Sequence, residues 1–190
     1  MKKALQLLLT AIALMAATFA VALLACDLIV IRPHLGQIES LLAQADPEDA
    51  APPQMIRDML DITAGSVKLR AIHKVMLAVS PHRGQGQWLV REPLWIILLP
   101  LHFSHSQMYG LYAALSYNGV DMGLNRFARR EYGQPLRQLT PLQAATTVAV
   151  TYAPTASADR RDQRAQWILA RYRHLHPDPA GPRDTGARHE

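Results

Sequence analysis

The sequence predicts an all-α protein behind one N-terminal transmembrane helix, and three observations carry that expectation. Residues Ala4 to Cys26 contain no charged side chain. Further along, apolar residues recur at intervals of three and four, the spacing that gathers them on one side of a helix. Two S/T-x-x-Q signatures, Ser104 with Gln107 and Thr140 with Gln143, mark helix starts through reciprocal side-chain and backbone capping.

The apolar run is 23 residues long. At about 1.5 Å per residue it crosses a hydrocarbon core of roughly 30 Å. Lys2 and Lys3 precede it and few lysines come after, which predicts a cytoplasmic N-terminus. The expected location is therefore the inner (cytoplasmic) membrane, single-pass, with a periplasmic or extracytoplasmic body. Two processing routes remain open beside an uncleaved anchor. "LLAC" at 23–26 resembles a lipoprotein cleavage box with Cys26 as the lipid-bearing residue, and a cleaved signal peptide is the other, although its apolar region is usually shorter. Otherwise Cys26 is a small apolar residue of the span. As the only cysteine it excludes an intramolecular disulfide and a cysteine-built metal site.

The formal charge is +5, and setting aside Lys2, Lys3 and Asp27 leaves +4 on the remainder. A basic body beside a bilayer suits anionic headgroups or phosphate-bearing ligands. Nucleic acid is not an expected partner, since an exported body does not normally meet it.

The chain divides into a membrane anchor over 1–31, a juxtamembrane segment and linker over 32–53, a helical domain over 54–176 and a disordered tail over 177–190. Within the second segment, Gln37 to Ala45 suits a short helix, and "ADPEDAAPP" at 45–53 reads as an acidic, proline-rich linker. Pro53 suits the first turn of a helix bearing Ile56, Met59 and Leu60 at i, i+3, i+4. A helix over about Lys68 to Val79 places Leu69, Ile72, Met76 and Val79 on one face, and "SPHRGQGQ" at 80–87 breaks it. "PLWIILLPL" at 93–101 reads as a fully buried helix opening with a proline; a strand fits the periodicity too, but a second span is too short. After the Ser104 cap, Met108, Leu111, Tyr112 and Leu115 form one apolar stripe. Asp121 suits the cap of a helix to Glu131 with Leu124, Phe127 and Ala128 inward. Gly133, after Tyr132, closes that helix in the left-handed conformation that glycine takes readily. Thr140, Pro141 and Gln143 then start a small-residue helix. After "YAPTASAD", a last helix capped near Asp159 turns Ala165, Ile168, Leu169, Tyr172 and Leu175 inward. The tail, "HPDPAGPRDTGARHE", carries too little apolar content to fold.

From Ser104 to Arg171 the order of these pieces resembles the C-terminal half of the family 51 peptidoglycan glycosyltransferases. That family reads approximately S-K-x-x-I-L-x-x-Y-L-N-x-x-x-x-G, then G-[IV]-x-A-A-x-x-Y-F-G-K, then L-[TS]-x-x-E-A-A-x-L-A, an Ala/Pro loop and R-R-x-x-V-L. Here "SHSQMYGLYAALSYNG" places Ser104, Met108, Leu111, Tyr112 and Gly119 in register. "GLNRFARREYGQP" matches through Gly123, Ala128, Arg130, Tyr132 and Gly133. "LTPLQAATTVAV" matches through Leu139, Thr140, Ala144 and Ala145, and "YAP" and "RAQWIL" complete the series. The resemblance covers about a third of the chain. It implies a lysozyme-like helical domain, truncated here, that uses or binds lipid-linked disaccharide (lipid II) or glycan strand in cell-wall synthesis, without a cofactor.

The departures from the pattern are as informative. The asparagine of the family's Y-L-N is Ala114 here, and the lysine after its Tyr-Phe-Gly is Gln134. Where the family's E-D-x-x-F-x-x-H-x-G motif opens, this chain has Ala64-Gly65, and alanine cannot deprotonate a sugar hydroxyl. The G-G-S-T-I-T-Q-Q motif is absent, and 27 residues separate Ala64 from Glu92. Glu92 falls on the glutamate of the family's R-K-x-x-E, whose basic pair is replaced by Trp88-Leu89. A non-catalytic accessory or scaffold protein, partnered with cell-wall synthases, is thus the alternative to a shortened transferase. An anchored helical protein without a cell-wall role is a third reading.

Glu92 is the candidate catalytic carboxylate, or else a helix-start charge beside Pro93 favoured by the helix dipole. Arg126, Arg129 and Arg130 share one short helix and suit a pyrophosphate, or else a solvated face. Tyr112 fits the family pattern, but it also belongs to a core stripe, which is the stronger reading. His102 with His105, and His174 with His176, lack the cysteines or carboxylates of a metal site, so no metal is expected. "HRGQGQ" lacks the lysine of a phosphate loop, and no serine sits in a nucleophile elbow.

Overall fold

The computed structural model describes residues 2–80 and 85–177, with backbone alone at 64 and 85–90. The expected tail beyond Pro177 and positions 81–84 of the expected break lie outside the described residues, as do the side chains of Trp88 and Leu89. Among the described residues the protein is helical, without a strand. Extended backbone pairs there in an isolated antiparallel bridge between Tyr117 and Met122.

Helix α1 (Lys2–Cys26) has no acidic residue in its first turn and buries none of its apolar surface fully. It continues without a break through a π-helical turn (Asp27–Ile31) into α2 (Arg32–Ala43). These 42 residues include the one helix among the described residues long and apolar enough to cross a membrane. The expected short helix at 37–45 is therefore the end of a much longer one. Pro33 does not stop it, because it falls in the first turn of α2, directly after the π turn has already interrupted the regular i→i−4 ladder.

The segment 45–53, expected to be a linker, is packed into the body. Asp46 caps the short helix α3 (Pro47–Ala50) by accepting from the Glu48 N–H at 3.0 Å. Glu48 and Asp49 are 6% and 2% exposed. Pro53 stands at the N-cap position of α4 (Gln54–Ala64) without a side-chain cap bond, and the helix buries Ile56, Met59 and Leu60 as expected. Ser66 caps α5 (Val67–Val79) through the Leu69 N–H. Its inward face is Val67, Ala71, Ile72, Val75, Met76 and Val79. Leu69 points outward instead, off the stripe that the spacing suggested.

Helix α6 (Gln85–Leu98) starts earlier than expected, so Pro93 lies inside it and Glu92 is not at a helix start. A 3-10 turn (Leu99–Leu101) comes next. The run is only half buried: Trp95, Leu98 and Leu99 face the core, whereas Ile97 and Leu101 are exposed. Helix α7 (His105–Ala114) opens with the full capping box of Ser104 and Gln107 and runs through the middle of the core. Met108, Leu111 and Tyr112 are buried and Leu115 is half-buried.

Helix α8 (Leu124–Tyr132) is preceded by Gly123 at φ 107°, so Asp121 does not cap it. Asp121 bonds instead with Asn118 and Arg130. Leu124, Phe127 and Ala128 face inward, and Gly133 closes the helix at φ 67°. A 3-10 turn (Leu136–Gln138) leads to α9 (Pro141–Val150), with both halves of the Thr140–Gln143 box formed. Helix α10 (Ala158–Leu175) lies along α9. Its cap position is Ser157 rather than Asp159. It buries Ala165, Ile168 and Leu169, with Tyr172 half-buried and Leu175 exposed.

Two glycines test this packing. A Cβ on Gly110 of α7 would stand 2.3 Å from the Ala50 carbonyl oxygen, whereas one on Gly36 of α2 would meet nothing within 4 Å. Gly110→Ala should cost roughly 1–3 kcal/mol through overpacking. Gly36→Ala should gain about 0.5–1 kcal/mol by restricting the unfolded chain. Thermal unfolding followed by circular dichroism in detergent should move the two midpoints in opposite directions.

Candidate functional site

The body holds its candidate polar groups in three places. In the first, α5 presents His73 to α6, and the imidazole Nε2 and Glu92 Oε1 lie 2.6 Å apart. Both side chains are partly exposed. Glu92 is thereby oriented by a neighbour that either donates to the carboxylate or shares its proton. Lys74, next along α5, turns the other way. Its ammonium lies 5.1 Å from the Tyr112 ring centroid and 3.4 Å from the Leu115 carbonyl oxygen. Burial, helped by the nearby Arg70 charge, holds that lysine below its usual pKa.

The second place is the α8 arginines. Arg130 donates to Asp121 Oδ1 at 3.1 Å and Asn118 Oδ1 at 3.2 Å, and its guanidinium lies 5.6 Å from the Phe127 ring centroid. It braces the 118–121 loop against α8. Arg126 and Arg129 are exposed on the same helix. Tyr112, the remaining candidate, is 1% exposed, and its hydroxyl donates to Thr151 Oγ1 at 3.1 Å. That places it in the core. Glu92 takes its partner from α5, whereas Arg130 takes its partners from the 118–121 loop and Glu131, so the five candidate residues do not share one network.

The third place was missed in the sequence. A cleft of about 430 Å³ between α4 and the end of α10 is lined by Asp58, Asp61, Ile62, Arg171, Leu175 and His176. Asp61 accepts from the Tyr109 hydroxyl at 2.6 Å, and His176 lies 3.5 Å from Asp58. Burial, then the hydrogen bond to that carboxylate, pushes the Tyr109 phenol well above its ordinary pKa. The available signal was the i, i+3 spacing of Asp58 and Asp61. Their meeting with α10 is long-range and no local pattern announces it. No cluster of three His, Cys, Asp or Glu able to hold a metal occurs among the described residues. His102 bonds with Asp27, and His105 packs edge-on against Tyr109.

Behind these surfaces, α3 fixes α8. Asp49 Oδ1 accepts from the Asn125 N–H at 2.9 Å and so caps a helix 76 positions away. Glu48 accepts from the Arg137 N–H at 2.8 Å and from its guanidinium. Burial raises the Asp49 carboxyl to about 6, against the opposing pull of the backbone N–H groups and Arg126.

No family model matches the chain, and neither does any curated protein or solved structure.

The Asp49 pKa sets a pH dependence. Its folded value lies above the unfolded one near 3.8, so the folded state holds this proton more tightly. The stabilising contribution is full below the unfolded value and is lost as pH rises through about 6. Urea unfolding of Asp49→Asn across that window should show a shallower fall than the parent. Asp49→Ala should instead lose about 1 kcal/mol or more at every pH, because the α8 cap is gone.

Proposed function

We propose that the protein is a membrane-tethered, glycosyltransferase-like accessory protein of cell-wall synthesis, with its body on the periplasmic side. In this reading it binds lipid-linked disaccharide or glycan and does not transfer it. The observation that carries the choice is that the candidate residues are engaged in structure. Glu92 is held at 2.6 Å by His73, Tyr112 is buried against Thr151, and Arg130 braces its own loop. Ala64 stands where the resemblance requires a general base. Arg126 and Arg129 remain as exposed cations for a pyrophosphate or an anionic headgroup.

A shortened transferase is the second reading, and the partial exposure of the Glu92–His73 pair favours it. A carboxylate fixed by an imidazole is a usable acid or base if a sugar hydroxyl reaches it.

Binding and polymerisation of lipid II by the full chain in detergent separate the two. The accessory reading expects binding, no glycan product, and no more than about a twofold change in affinity for Glu92→Gln. Replacing Arg126 and Arg129 together with alanine should weaken binding roughly tenfold or more, as expected for losing charge-assisted contacts. Glycan product that vanishes with Glu92→Gln would establish the transferase reading, and absence of binding would overturn both.

A further inference from the structure

We propose that the elbow between α6 and α7 rests in the same bilayer leaflet boundary that α1 leaves, so that the body contacts lipid at a second place. The run 93–101 contains no charged residue and is flanked by Glu92 and His102. Its two sides are both apolar. One side, Trp95, Leu98 and Leu99, is buried in the core. The other side repeats every four residues as Pro93, Ile97 and Leu101, all exposed, with Ile97 at 52% and Leu101 at 74%. A helix that needs only one apolar face for its core has no use in water for a second.

The occupant of that second face is indicated by its position. His102 Nε2 lies 2.6 Å from Asp27 Oδ1, and Asp27 is the first residue after the uncharged run of α1. The bond sets Leu101 and Leu28, each adjacent in sequence to one of its partners, at one junction. Leu28 and Ile29 are themselves 49% and 76% exposed. Helix α6 packs against the π turn that follows α1, so its exposed stripe adjoins the exposed apolar surface of the candidate span. Arg32, which donates to Asp27 at 3.2 Å and is half exposed, adds a cation at the level where phosphates would lie. An exposed apolar face beside a candidate span, with polar residues at its ends, gains by leaving water for the acyl boundary of a bilayer. The inference requires α1 to remain attached; it does not depend on lipid II or on any transfer reaction.

The test uses the full chain with Cys26→Ser and single cysteines at Leu9, Ile97 or Leu101, each carrying an environment-sensitive dye. The protein is reconstituted in phosphatidylcholine–phosphatidylglycerol vesicles, with helicity checked by circular dichroism. Tail-nitroxide lipids report membrane contact and iodide reports water. Dyes at positions 97 and 101 should be quenched by the nitroxide lipids at least about half as strongly as the dye at position 9, with reduced iodide access. Iodide quenching without nitroxide quenching would overturn the proposal. Protection from both quenchers would also overturn it and assign the face to a protein neighbour, such as a second copy.

Discussion

The body depends on two buried carboxylates presented by a single turn. Helix α8 begins after Gly123, a residue with no side chain to satisfy the free N–H groups of the first turn. Asp49 supplies the missing acceptor from α3, and a Cβ on Gly123 would stand 2.6 Å from that carboxylate. Glu48, its neighbour, holds the 3-10 turn beyond α8. One turn thus fastens both ends of the segment that carries the exposed arginines. Burying a carboxylate is costly unless hydrogen bonds replace its water. For Asp49 the replacement is incomplete, since desolvation still outweighs the bonds it accepts.

This explains which parts of the fold were legible. Ser104, Thr140, Pro141 and Gly133 act on backbone groups within four residues of themselves, and each does in the structure what its type suggests. Asp121 and Asp159 have the right residue type at plausible positions, but a helix start needs only one set of acceptors. At α8 the acceptor arrives from a distant segment, which no local spacing can reveal. The same reason turned the acidic, proline-rich stretch at 45–53 into an apparent linker. Its charges look solvated until their partners, Asn125 and Arg137, fold against them.

The candidate site was legible only as a set of residue types. Tyr112 satisfied two patterns at once, and the core claimed it because α7 is surrounded on most sides. Glu92 was placed beside a proline, which suggested a helix start. In fact Pro93 sits inside α6 on its exposed side, away from the packed core. Moving the start upstream moves Glu92 into mid-helix, and there its orientation is set by His73 rather than by the helix dipole. The cleft at Asp58 and Asp61 stayed hidden because half of its wall comes from α10.

The junction between α1 and the body has a mechanical consequence. A flexible tether would let the body sample many heights and orientations above a membrane. Here α1 and α2 form one helix of 42 residues, about 63 Å long at the usual rise. The π turn at Asp27–Ile31 inserts extra backbone, rotating the downstream helix by roughly 100° relative to an unbroken α-helix. In that rotated frame Ile31 and Ile38 enter the core, and Asp27 meets His102 and Arg32. A regular helix would have turned some of these toward solvent or lipid. The body is therefore clamped to the end of α1 by apolar contacts and one polar junction. The orientation of the body relative to α1 is thus fixed by packing rather than left to a flexible tether.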